Sequence, residues 1–180
     1  MQLKILLTGG PGTGKTSVLN ELNSLEYECF SEVSRDVILE AKKKGIDQLF
    51  LSKPLLFSEL ILKEREQQYI NAMKSKSEII FFDRGIPDIH AYLDYFKAEY
   101  PPIFKEKSKQ YTYDKIFHFS PWKKIHETDN ERYESFEKTS EIDIYLRKAY
   151  LELGHTLINV PFGSLKERTD FIINSLSCDL

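Results

Sequence analysis

Eight residues near the start of the chain decide most of what it can become. Gly9-Gly10-Pro11-Gly12-Thr13-Gly14-Lys15-Thr16 fills the pattern G-x-x-x-x-G-K-[ST]. Glycines let a backbone fold back on itself, so that several N–H groups converge on one anion. A helix that starts at such a loop adds the positive end of its dipole to the same point. At average residue usage the pattern arises by chance in well under about one in fifty chains of this size. Here it also follows an apolar run, Leu3 to Thr8, and precedes an amphipathic stretch. The candidate nucleotide-binding residues are therefore Gly10, Pro11, Gly12, Thr13, Gly14, Lys15, Thr16 and Ser17. Lys15 is expected on the β- and γ-phosphates of ATP or GTP, and Thr16 on Mg²⁺.

Short apolar runs recur at Tyr27 to Phe30, Glu78 to Phe82, Lys115 to Phe119 and Thr156 to Val160. Runs that are apolar at nearly every position fit strands covered on both faces. Helical patterns lie between them, near residues 15–24, 32–44, 55–75, 86–97, 138–153 and 164–176. The alternation predicts an α/β fold, a three-layer αβα sandwich around a central, mostly parallel five-stranded sheet. Residues 98–114, with Pro101-Pro102, read as a helical excursion, and residues 120–137 as a small polar lid. With no repeat or linker, residues 1–180 read as a single P-loop domain.

A phosphate loop needs a carboxylate partner for its metal. Ile79-Ile80-Phe81-Phe82-Asp83 is an apolar run ending in an acid, so Asp83 is the candidate, expected beside the loop at the carboxyl edge of the sheet. The alternative is an ordinary strand-end aspartate. Arg84 follows where a hydrolytic ATPase often carries a second acid; its guanidinium suits a phosphate or acceptor oxygen. Glu32 reads as a proton acceptor for an acceptor hydroxyl, with Arg35 one turn on. Equally, the segment reads as a helix cap with Ser31 as N-cap. Arg132 is the lid residue expected to close over the γ-phosphate, against the alternative of a surface pair with Glu131 or Asp129. Trp122, after the fourth run, reads as hinge packing or a substrate contact, and residues 159–163 as an ordinary turn or as a loop near the base.

Composition removes several alternatives. Lys+Arg 25 against Asp+Glu 28 and a pI near 5.9 leave no basic excess for nucleic acid. Two cysteines, Cys29 and Cys178, match no metal spacing and point to a reducing, cytoplasmic setting. The four histidines have no ligand spacing, and no stretch is long and apolar enough for an integral membrane segment.

Leu-Thr-Gly-Gly-Pro-Gly-Thr-Gly-Lys-Thr at 7–16, Glu-Val-Ser-Arg at 32–35, Phe-Phe-Asp-Arg-Gly-Ile-Pro-Asp at 81–88 and Asp-Asn-Glu-Arg at 129–132 resemble a family of small, mostly bacterial P-loop proteins labelled AAA-type ATPases. That family is similar to the ribosylnicotinamide kinase domain of bacterial NAD-biosynthesis regulators and to eukaryotic GTP-binding relatives. The resemblance implies a nucleoside/nucleotide-kinase-like fold and leaves the substrate open. At 180 residues the chain is read as too short for the helical lid domain of a true AAA+ motor. Two functions follow. One is a Mg-dependent phosphotransferase moving the ATP γ-phosphate to a small nucleoside- or nucleotide-like acceptor held by Glu32, Arg35 and Arg84. The other is a slow ATPase or GTPase, a nucleotide-dependent switch with a protein or membrane partner. No Asn-Lys-x-Asp base-reading motif is present, which favours ATP over GTP.

Overall fold

The computed structural model describes residues 2–43, 45–46, 49–125 and 135–176. Its strands are β1 (Leu3–Thr8), β2 (Glu28–Phe30), β3 (Ile79–Asp83), β4 (Lys115–His118) and β5 (Leu157–Asn159). The helices are α1 (Lys15–Ser24), α2 (Ser34–Lys43), α3 (Leu49–Ser52), α4 (Pro54–Lys74), α5 (Ile86–Tyr95), α6 (Ile103–Gln110), α7 (Phe136–Glu152) and α8 (Leu165–Leu176). The sheet runs β2-β3-β1-β4-β5, with every neighbouring pair parallel. A parallel sheet buries both faces, so the central strands carry apolar side chains in both directions.

Alternation along each strand divides the core. Ile5, Leu7, Phe81 and Phe117 point to one face, where α1 (Val18, Leu22) and α8 (Ile172, Leu176) cover them. Leu6, Ile80, Phe82 and Ile116 point to the other, under Tyr69 of α4 and Tyr150 of α7. Each fully buried side chain of this kind contributes about 1.5–3 kcal/mol. A further apolar cluster joins α2, α3, α4, α5 and α6 through Val37, Leu49, Ile61, Ile89, Leu93 and Phe104.

The five strand candidates all form, with no end shifted by more than one residue, and the sheet is parallel throughout. The excursion at 98–114 is α6. The short helix α3 was not anticipated, since four residues carry too little periodicity to register. The helix after β2 starts at Ser34, so Ser31 is not its N-cap; the Ser34 N–H instead meets a Glu32 carboxylate oxygen at 3.2 Å. Ser135 caps α7, accepting from the Lys138 N–H at 3.3 Å. Among the described residues no helix is long and apolar enough to cross a membrane, and no three His, Cys, Asp or Glu side chains gather as a metal cluster.

The connections place the cleft. β1 leads into α1 on one face, whereas β3 leads into α5, which packs with α4 and α7 on the other. Between the carboxyl ends of these adjacent strands the chain parts in two directions, leaving the crevice where open α/β sheets take ligands.

Candidate functional site

The loop between β1 and α1 forms the floor of that crevice. Gly14 opens α1 in the left-handed region, at φ 83°. A Cβ there would also lie 2.5 Å from Arg168 Nη1 and 3.3 Å from Ile125 Cδ1, so both backbone shape and space demand glycine. Gly14→Ala is expected to cost about 1–3 kcal/mol, read as a lower melting temperature. Gly10 lies against α7, and a Cβ on it would meet Thr139 Cγ2 at 2.6 Å. Lys15 reaches back across the loop: its Nζ donates to the carbonyls of Gly9 (2.8 Å) and Gly10 (2.7 Å) and stands 3.3 Å from Thr13 Oγ1. Burial and the nearby Arg84 guanidinium pull its pKa down to about 7, against the opposing pull of Asp83, Glu32 and Asp88. A cation held this way in a buried loop favours an anion beside it.

Asp83 ends β3 directly opposite Leu7 of β1. Its Oδ2 accepts from the Thr16 hydroxyl at 3.0 Å, and its Oδ1 is buried without a hydrogen-bond partner among the described residues. Burial raises its pKa, with Lys15 opposing. The Thr16 hydroxyl and the Asp83 carboxylate, one of whose oxygens is orphaned, make a hard-oxygen donor set, which fits Mg²⁺ or water in its coordination shell.

Arg84 follows with φ 69°, a left-handed backbone that costs a non-glycine residue energy and that clusters at functional sites. The twist turns its side chain into the crevice. Its Nε pairs with Glu32 Oε2, its Nη1 stands 3.7 Å from Asp88 Oδ1, and its guanidinium lies 5.5 Å over the Tyr92 ring. Asp88 holds the turn from beneath. It accepts from the Gly85 N–H at 2.9 Å, from Thr8 Oγ1 at 2.8 Å and from the Tyr150 hydroxyl. Asp88 thus fixes the frame on which Asp83 and Arg84 sit.

Glu32 is clamped by two arginines. Arg65 of α4 donates from Nη2 to its Oε1 at 3.1 Å, and Arg84 holds the other oxygen. Burial alone would raise this carboxyl, but Arg65, Arg84 and the Ser34 N–H bring it down to about 2. Arg65 also donates to the Gly85 carbonyl, which ties α4 to the turn after β3. Arg65 was invisible in the sequence, because an arginine in the polar run Lys63-Glu64-Arg65-Glu66 reads as a solvated helix charge.

The other end of the crevice is aromatic. Arg168 of α8 donates from Nη2 to the Thr13 carbonyl at 2.6 Å and lies 4.8 Å over Phe119 and 6.0 Å from Trp122. Trp122 stacks on Phe162, centroids 5.0 Å apart and rings 23° from parallel. Phe162 remains 58% exposed, so its ring has a free face. Pro11 to Ser17, Glu32, Arg35, Asp83 and Arg84 all line one continuous cleft of about 1980 Å³, while Gly10 lies in the loop behind it. Arg132 lies outside the described residues, as do residues 126–134 of the expected lid. Lys138, at the start of α7, lines the cleft.

A parallel β2-β3-β1-β4-β5 sheet with a glycine-rich phosphate loop after β1 and an acid at the end of β3 defines a nucleotide-kinase-like P-loop NTPase fold. The chain belongs to the AAA domain family, whose sequence model matches residues 4–168. Solved structures place the fold more narrowly. Deoxyadenosine kinase from M. mycoides superposes with a TM-score of 0.72 at 16% identity, over 98% of this chain and 100% of that one. NadR in complex with NR gives 0.74 at 18% identity, over 97% of this chain and 50% of the other, so this chain spans about half the NadR chain. Thymidylate kinase from Ehrlichia chaffeensis gives 0.62 at 16% identity, covering 97% and 98%. Identities this low establish shared architecture alone. No curated protein matches the sequence.

Proposed function

We propose that the protein is a Mg-dependent phosphotransferase, moving the γ-phosphate of ATP to a small nucleoside- or nucleotide-like acceptor. The observation that carries this reading is the size and continuity of the cleft. A single small ligand fills about 300–1,000 Å³, whereas this cleft measures about 1980 Å³ and runs from the phosphate loop to a second, charged end. There is room for a donor and an acceptor side by side. A nucleotide switch that hydrolyses slowly needs only the first.

In this reading the N–H groups of Gly12 to Ser17 and the Lys15 ammonium hold the triphosphate, Gly10 and Pro11 shape the loop, and the base lies against Trp122 and Phe162. Thr16 and Asp83 hold Mg²⁺, which, when bound, neutralises charge on the transferring phosphoryl group. Arg84 faces the same group from the acceptor side, close enough to Lys15 for the two cations to repel until an anion lies between them. Glu32 accepts a hydrogen bond from the acceptor hydroxyl. Held at about 2, it orients that hydroxyl and has little appetite for the proton itself. In a loose transition state the proton need leave only late. Arg35 lines the acceptor end, and Arg132 closes over the γ-phosphate. The whole chain, 1–180, acts as one domain.

The test is nucleoside diphosphate release from MgATP and MgGTP, with and without a panel of nucleosides, nucleotides and nicotinamide riboside, using Lys15→Ala as the blank. Stimulation by one acceptor, absent from the blank, is the expected result. Slow release indifferent to every acceptor would favour the switch.

A further inference from the structure

His118 ends β4 completely buried, and no part of the chemistry above uses it. Its Nε2 meets Asp143 Oδ1 of α7 at 2.7 Å. Its Nδ1 lies 3.2 Å from Arg147 Nη1, also of α7, and 3.1 Å from Asn159 Oδ1 at the end of β5. Arg147 Nη1 in turn donates to Asn159 Oδ1 at 3.0 Å. A guanidinium only donates, so Nδ1 is assigned as acceptor and Nε2 as the proton-bearing nitrogen that donates to Asp143. The backbone adds a further link, Val160 N–H to the His118 carbonyl at 2.9 Å.

The three elements joined here are the three that frame the donor end of the cleft. β4 continues through Ser120 and Pro121 to Trp122, and β5 continues through Val160 and Pro161 to Phe162. One helical turn before Asp143, α7 places Thr139 against Gly10 of the phosphate loop. We propose that His118, with Asp143, Arg147 and Asn159, is a positioning cluster for the nucleotide base: it sets Trp122 against Phe162. None of the four touches the nucleotide; they act through the two rings. The inference rests on the reading that the base lies against those rings.

Arg147 and Asn159 are the arms to cut, because they lie at the edge of the cluster and leave His118 and Asp143 paired. Arg147→Met keeps the aliphatic stem while removing the shared donor, and Asn159→Ala removes its acceptor. Calorimetric titration with MgATP and with Mg-tripolyphosphate separates the base from the phosphates. Losing one hydrogen bond of ordinary strength corresponds to about fivefold in affinity. Each variant is expected to weaken MgATP by about fivefold while tripolyphosphate stays within about twofold, with Arg147→Lys intermediate. Trp122, the only tryptophan, provides a second readout: its emission should shift to the red in both variants without ligand. Equal weakening of both ligands marks a merely structural cluster and overturns the proposal, as does no change in either. If the unaltered protein binds tripolyphosphate as tightly as MgATP, the base-wall reading itself is wrong. If it prefers MgATP and both variants keep that preference, only the positioning role is lost.

Discussion

Arg84→Met is expected to lower acceptor-dependent phosphate transfer by about a hundred- to a thousandfold, while the MgATP dissociation constant stays within about fivefold. The asymmetry follows from where the guanidinium stands. The phosphate loop and Lys15 hold the donor without it, whereas charge that develops on the moving phosphoryl group needs a cation on the acceptor side. Arg84→Lys should recover little of the loss, because one ammonium cannot keep both the Nε contact to Glu32 and a face toward the cleft. Single-turnover transfer measured beside equilibrium binding separates the two quantities. Transfer at the unaltered rate in Arg84→Met would remove Arg84 from the chemistry.

Glu32→Gln carries the second large effect, and it falls on stability. The substitution leaves Arg65 and Arg84 facing each other without their shared counter-charge, and breaking a buried pair in this way costs about 3–5 kcal/mol. For a chain of this size that is a melting temperature lower by about 6–20 °C. The same residue sets an acid limit. Its folded pKa is depressed from 4.5 to about 2, so its contribution is fully present above about pH 4.5 and disappears as pH falls toward 2. Chemical denaturation across pH 2 to 6 should therefore show a slope that Glu32→Gln flattens. An unchanged slope would mean that the two arginines do not hold this carboxylate in solution.

The sheet and the phosphate loop were legible in the sequence because each has a strong local signature. An apolar run followed by glycines at fixed spacing and Lys-Thr is written within fourteen consecutive residues, Leu3 to Thr16. Asp83 was legible for the same reason: it ends an apolar strand. The residues that brace the charged end of the cleft were not. Arg65 reaches Glu32 across 33 positions of chain, and Tyr150 reaches Asp88 across 62. Neither partner carries a local mark, since one sits in a polar helix and the other among ordinary core aromatics. His118 illustrates the same limit. Without a nearby ligand spacing it reads as a lone histidine, and only the parallel pairing of β4 with β5 brings Asn159 beside it. Glu32 shows how local patterns mislead. The cap expected at Ser31 lies three residues before the helix, and the Glu32 carboxylate instead meets the Ser34 N–H and the two cleft arginines at once.

The link from β3 to α5 has a consequence for how such a protein can be remade. Only Arg84 and Gly85 separate the strand from the helix, and Asp88 staples that link to β1 and α7. An inserted residue there has no slack to occupy; it would swing the guanidinium away and break the staple together. The wall contributed by α2 carries no such constraint, with Leu39 55% exposed at the cleft rim, whereas α4 is tied to the link through Arg65. Redesign for a new acceptor should therefore vary the α2 wall and leave residues 83–88 untouched. The molecule divides into a fixed tool and an exchangeable grip, and the division runs along the lengths of its loops.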